Sequence, residues 1–135
     1  MSEKGDGLRP LARRSIAVGA MLMLVAVILG AFGAHGLEGR LAAKQLASYQ
    51  TGVSYHLLHA LGLVAVGVIA QVTTPGRLLE WSARLMLLGI ACFSGSIYLL
   101  TAGAPRALGA VTPVGGLSFM AAWMLLALHV LRRPG

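Results

Sequence analysis

Charge is what this chain lacks. Of its 135 residues only 11% are charged and only 4 are acidic, against 57% hydrophobic and a mean hydropathy of +0.80. Such a composition cannot cover a water-soluble globule of this length with polar surface. Four stretches, Ser15–Ala34, Gln45–Gly76, Leu85–Pro105 and Ala107–Leu131, hold no Lys, Arg, Asp or Glu at all. Each is about twenty residues or longer, the length a helix needs to cross a hydrocarbon core of about 30 Å. Almost nothing is left over for a soluble domain. The one cysteine, Cys92, sits inside the third run, so no intrachain disulfide can form, and it reads as a small buried hydrophobe. A Walker lysine pattern, an internal repeat and a constellation of acid, nucleophile and base within the spans are all missing, so the composition points to no enzyme class.

What charge there is lies at the ends of the runs. The formal net charge of +7 therefore marks topology and not a nucleic-acid surface. With four spans both termini share a side, which collects Lys4, Arg9, Arg13, Arg14, Arg77, Arg84, Arg132 and Arg133; the other side has Arg40, Lys44 and Arg106. The positive-inside rule then places both termini in the cytoplasm. Arg13-Arg14 and the small residues at Ala31-Phe-Gly33 could be taken for an export signal and cleavage site, but the run is long enough to span and a retained first helix is the economical reading.

The expected fold is an all-α integral membrane bundle of four transmembrane helices, with an amphipathic interfacial helix between spans one and two. Residues 1–12 are expected to be a mobile cytoplasmic tail and 13–133 a single membrane domain, with spans at about 13–34, 53–72, 82–103 and 113–131. Arg40, Lys44 and Ser48 recur every four residues opposite Ala42, Leu46, Tyr49 and Val53, which is the interfacial pattern leading into span two. Thr73-Thr-Pro-Gly76 breaks the chain before span three, where Trp81 can anchor at the headgroups. Ala102-Gly-Ala-Pro105 ends span three, an outer loop covers Arg106 to Val111, and Thr112-Pro113 offers an N-cap and first-turn proline for span four.

The chain's 18 glycines suit helices that associate in lipid by close packing, most densely at Gly30, Gly33, Gly36 and Gly39. Polar groups within spans are costly in hydrocarbon and face the bundle interior. Gly52, His56, His59, Leu63 and Gly67 share one stripe of span two, and Ala91, Ser94, Gly95, Tyr98 and Thr101 share one of span three. Topology then gathers His35, His56, His59, Tyr98, Thr101 and Ser118 in the outer half of the bundle. Three readings stay open for that cluster: interhelical hydrogen bonds that fix packing, a metal site using the three imidazoles with Glu38 reaching back, or a haem held by His35 and His59. His129, Trp123 and the methionines read as interfacial or apolar packing.

Four motifs occur in order: Gly30-Ala-Phe-Gly-Ala-His35; Tyr49-Gln-Thr-Gly-Val-Ser-Tyr55 with His59; Phe93-Ser-Gly-Ser-Ile-Tyr98; and Thr112-Pro-Val-Gly-Gly-Leu-Ser-Phe119 with Trp123. Together they resemble the small inner-membrane family called domain of unknown function 423, similar also to the eukaryotic transmembrane protein 256 group. The positions that carry the resemblance are Gly30, Gly33, His35, Tyr49, Gln50, Tyr55, His59, Ser94, Gly95, Ser96, Tyr98, Thr112, Pro113, Gly115, Gly116 and Ser118. The resemblance implies a four-span protein of the bacterial cytoplasmic membrane with no reaction, substrate or cofactor attached. The family pattern has Gln after the tyrosine where His56 stands here, so a metal site depending on His56 would not be general. The expected function is a non-enzymatic structural or accessory membrane module without cofactor; the alternative is a small-ligand or transport component built on the polar cluster. Its expected partners are the lipid bilayer and a second copy or another membrane protein, not nucleic acid.

Overall fold

The computed structural model describes residues 7–132, and there the chain is all helix and turn. Helix α1 (Pro10–Phe32) runs on through a π-helical turn at Gly33–Leu37, and α2 spans Ala43–Val72. Helices α3 (Arg77–Gly89) and α4 (Gly95–Thr101) are joined by a second π turn, Ile90–Ser94, into one continuous span. A 3-10 turn at Arg106–Ala110 leads into α5, Val111–Leu131. Among the described residues four segments are long and apolar enough to cross a membrane: Pro10–Leu37, Ala43–Val72, Arg77–Thr101 and Arg106–Leu131.

Several boundaries differ from the sequence expectation for physical reasons. The first six residues of the expected tail lie outside the described residues, as do Lys4 and Arg133. The remainder of it is tied down: α1 starts at Pro10, which suits a first-turn position, and the Arg9 amide donates to Gln71 Oε1 at 2.9 Å. The Arg9 guanidinium also donates to the Thr73 carbonyl. The amphipathic stretch forms the first turns of α2 itself, because nothing between Ala43 and Val53 interrupts the ladder. Span four begins before Thr112, and that hydroxyl caps no helix: it shares a 2.6 Å hydrogen bond with Ser96 of α4.

Helix α2 is the centre of the bundle. Half of its most apolar window is buried, against 17% for that of span one, so α1 shows most of its surface to lipid. On one side α2 packs along α1, and on the other it meets the third span, which packs along α5. The core toward the terminal side is aliphatic, with Leu63, Val66, Ala70, Leu79, Ala83 and Met86 all buried. The outward side chains Met21, Leu24, Val27, Ile28, Leu117, Met120 and Met124 are exposed and apolar, which is what a lipid-facing surface requires.

Candidate functional site: the polar groups in the half away from the termini

The six residues of the expected cluster do not form one site. His56 and Tyr98 meet: His56 Nδ1 and the Tyr98 hydroxyl share a hydrogen bond of 3.0 Å, linking α2 to α4. The other imidazole nitrogen, Nε2, is buried toward the Leu22 carbonyl of α1 without completing a hydrogen bond of good geometry. Tyr49 packs against Tyr98 with ring centroids 5.5 Å apart and donates its own hydroxyl to the Leu29 carbonyl at 2.6 Å. Ser94 donates to the Gly52 carbonyl at 2.7 Å. That group of Tyr49, Gly52, His56, Ser94 and Tyr98 joins three spans.

His59 belongs to a different environment although it lies one turn along the same helix. Its Nδ1–H donates to the Tyr55 carbonyl of the preceding turn at 2.7 Å, which leaves Nε2 as the acceptor nitrogen. The ring stacks on Phe119 at 3.4 Å between centroids and 12° between planes, with Trp123 at 6.0 Å and Tyr55 at 5.8 Å. Phe93 completes this aromatic group, 4.6 Å from Tyr55. Thr101 and Ser118 turn back on their own helices, donating to the carbonyls of Ile97 at 2.9 Å and Val114 at 3.0 Å. His35 lies in the first π turn and is exposed, and among the described residues it shares no hydrogen bond or ring contact with either group.

The π turn in span three makes this arrangement possible. The Gly95 amide donates to the Ile90 carbonyl five residues back, so the helix widens by one residue. That extra residue aims Ser94 at α2 while Phe93 turns to α5, where a side chain at Gly115 would collide with the Phe93 backbone. No feature of residue type announces such a turn, and sequence reasoning missed it. It missed also the terminal-side tie of Arg9, Gln71 and Thr73, in which Thr73 Oγ1 donates to the Ile69 carbonyl at 2.7 Å and lies 3.4 Å from His129 Nε2.

Of the chemical readings left open by the sequence, neither metal nor haem has its residues assembled: His35 stays apart from His59, and among the described residues no three of His, Cys, Asp or Glu come together to hold a metal ion. A cavity of about 450 Å³ opens at the end of the bundle away from the chain termini, between the first turns of α2 and the end of α4. It is lined by Lys44, Gln45, Ser48, Thr51, Thr101 and Thr112 together with Ile97 and Leu100. Only Thr101 of the expected cluster faces it.

The fold and the polar groups define a small four-span membrane bundle whose intramembrane polar side chains mostly bond to backbone. The family model described as protein of unknown function (DUF423) matches residues 29–116, and the chain belongs to that family. It is 43% identical over 117 residues to the UPF0382 membrane protein YwdK of Bacillus subtilis, which covers 87% of this chain and 95% of that one. A UPF0382 membrane protein of Staphylococcus haemolyticus is 42% identical over 120 residues, 89% of this chain and 97% of that one. No solved structure matches. The protein is thus a bacterial membrane protein of a family without assigned activity.

Proposed function

We propose that the protein is a non-catalytic accessory module of the bacterial cytoplasmic membrane, with both termini in the cytoplasm. The observation that carries this reading is the use made of the polar side chains. Ser82, Ser94, Thr101, Ser118 and Tyr49 all donate to backbone carbonyls, and His56 is held by Tyr98. The bonds that cross between helices, from Ser82, Ser94, Tyr49 and His56, fix helix positions, each contributing roughly 0.6 to 2 kcal/mol, while the hydroxyls of Thr101 and Ser118 are taken up by carbonyls of their own helices. The orientation rests on the basic residues gathered at the terminal side. The exposed apolar faces of α1 and α5 suit lipid and contact with a second copy or another membrane protein equally.

A second reading, small-ligand binding, is favoured by the outer cavity, where Lys44 offers a cation with no ion pair among the described residues. One experiment separates the two. The full chain is purified in mild detergent, and native mass spectra and thermal stability are compared for wild type, the pair His56→Ala with Tyr98→Phe, and Lys44→Gln. On the accessory reading the pair lowers stability, Lys44→Gln does nothing, and no spectrum carries a bound small mass. A small-molecule adduct on wild type that Lys44→Gln removes without changing stability would replace it with the ligand-binding reading.

A further inference from the structure

A groove of about 410 Å³ runs between α1 and α3 at the terminal end of the bundle, on the opposite side of the membrane from the polar cluster. Its upper rim carries Arg14, Arg84 and Glu80, and its floor is Val18, Leu63 and Leu87. Both helices start at the terminal side. At about 1.5 Å per residue Arg14 lies about 6 Å below the first residue of α1 and Arg84 about 10 Å below that of α3, while Val18 and Leu87 lie deeper. The polar part of the groove therefore sits at headgroup depth and the apolar part among the acyl chains.

We infer that this groove binds one anionic phospholipid, with the phosphate between Arg14 and Arg84 and the upper part of an acyl chain along Val18, Leu63 and Leu87. Three observations converge on a phosphodiester. Arg14 and Arg84 both line the groove and neither forms an ion pair with Glu80 or any other described acid, so the rim keeps a net positive charge. Arg84 is steadied over the Trp81 ring at 5.0 Å, which orders a side chain that would otherwise be mobile at the interface. Ser15, only 4% exposed as a whole residue, lines the groove, and its hydroxyl makes no hydrogen bond among the described residues. A hydroxyl that lines the groove next to Arg14 in the chain can donate to an anionic oxygen.

Glu80 selects among anions. Its carboxylate leaves the rim with two positive charges against one negative, matching a singly charged phosphodiester, and it can accept a hydrogen bond from a headgroup hydroxyl. The expected lipid is of the phosphatidylglycerol type. Phosphatidylethanolamine would leave the positive charge of the rim unbalanced, and phosphatidylcholine would add a bulky cation without a donor. The site does not depend on which leaflet the terminal side occupies.

The test uses the full chain in mild detergent, with native mass spectrometry of bound lipid during titration by phosphatidylglycerol, phosphatidylethanolamine or phosphatidylcholine, and competition by inorganic phosphate. Wild type is expected to retain one phosphatidylglycerol, and the double change Arg14→Gln with Arg84→Gln to weaken retention roughly tenfold or more. Ser15→Ala should weaken it a few-fold. Val18→Trp, on a lipid-exposed position, should block the groove while leaving every charge in place, so the proposal remains testable if the arginine pair fails to fold. The same loss of charge elsewhere, Arg13→Gln with Arg77→Gln, should leave retention unchanged. Equal retention of the three lipids, an equal loss from the Arg13 and Arg77 control, undiminished retention by Val18→Trp, or displacement by millimolar phosphate would each overturn the assignment.

Discussion

The seam between α1 and α2 and the seam between span three and α5 achieve the same closeness by different means. In the first, Gly19 fits between Ala60 and Val64, while Gly67 fits between Ala12 and Ile16: added methyl groups would come within 2.9 Å of the Ala60 carbonyl and 3.0 Å of the Ala12 carbonyl. Two regular helices thus touch backbone to side chain through reciprocal glycines. In the second, Gly89 lies under the Phe119 ring and Gly115 lies on the backbone of Phe93, inside a π turn. Here the partners are aromatic, and hydroxyls join in, as Ser82 donates to the Ala122 carbonyl at 2.8 Å and Ser96 pairs with Thr112. Lipid offers no hydrophobic force between helices, so association must come from close contact and hydrogen bonds. The first seam uses mainly contact. The second adds hydrogen bonds and an irregular backbone that only its neighbours hold in place.

That contrast makes the two seams respond unequally to the same insult. Gly115→Ala places a methyl group against Phe93 backbone atoms that cannot move without rearranging the π turn. The expected loss is about 3 kcal/mol or more, at the upper end of overpacking costs. Gly67→Ala meets Ile16 Cγ1 at 2.7 Å and backbone atoms of Ala12 and Ile16 only at 3.0 Å, against 2.3 Å for the Phe93 amide nitrogen at Gly115, and should cost less, about 1 to 2 kcal/mol. Denaturation of the purified chain by sodium dodecyl sulfate in mixed micelles reads both. Equal losses would mean that the π turn adapts as easily as a rotamer, and the contrast between the seams would fall.

The next effect is smaller and concerns hydroxyls. Ser82 and Ser94 are fully buried, each donating across a helix boundary, to Ala122 and to Gly52 respectively. Alanine at either should cost about 1 kcal/mol, since the carbonyl acceptors keep their own helical bonds and only one tie is lost. In the same micelle titration the double variant should lose the sum, because the two sites lie twelve residues apart on one span and share no partner. A loss well below additive would reveal that the two ties act through one common displacement of span three.

How far this architecture was legible follows from what each residue type can signal. The four spans were readable because hydrocarbon forbids charge, and an uncharged run such as Gln45–Gly76 has no other stable state there. The break at Thr73-Thr-Pro-Gly76 was readable because proline and glycine end helices locally, and α2 does stop at Val72. His56 with Tyr98 could be placed at one depth by counting residues. Counting failed for His59, since rotation by one turn and the company of Phe119 and Trp123 decide its environment, and no single helix encodes its neighbour's aromatic rings. It failed for His35 because the π turn at Gly33–Leu37 directs that ring outward. The tie of Arg9 to Gln71 and Thr73 was invisible for a related reason: polar residues at span ends look alike whether they face water or each other.

The smallest expected effect tests the polar side of the first seam. Tyr49 is 3% exposed, and its hydroxyl donates to the Leu29 carbonyl across the outer end of α1 and α2. Tyr49→Phe keeps the ring, which packs on Gly33 and beside Tyr98, and removes only that donor. The Leu29 carbonyl still accepts from the Gly33 amide within its helix, so no acceptor is left bare. A loss of about 0.6 kcal/mol is expected, near the average for a hydrogen bond between membrane helices. Tyr49→Ala should cost several times more by opening a void against Gly33. Were Tyr49→Phe to cost as much as Tyr49→Ala, the hydroxyl and not the packed ring would hold the outer end together, and the first seam would depend on hydrogen bonding as the second does.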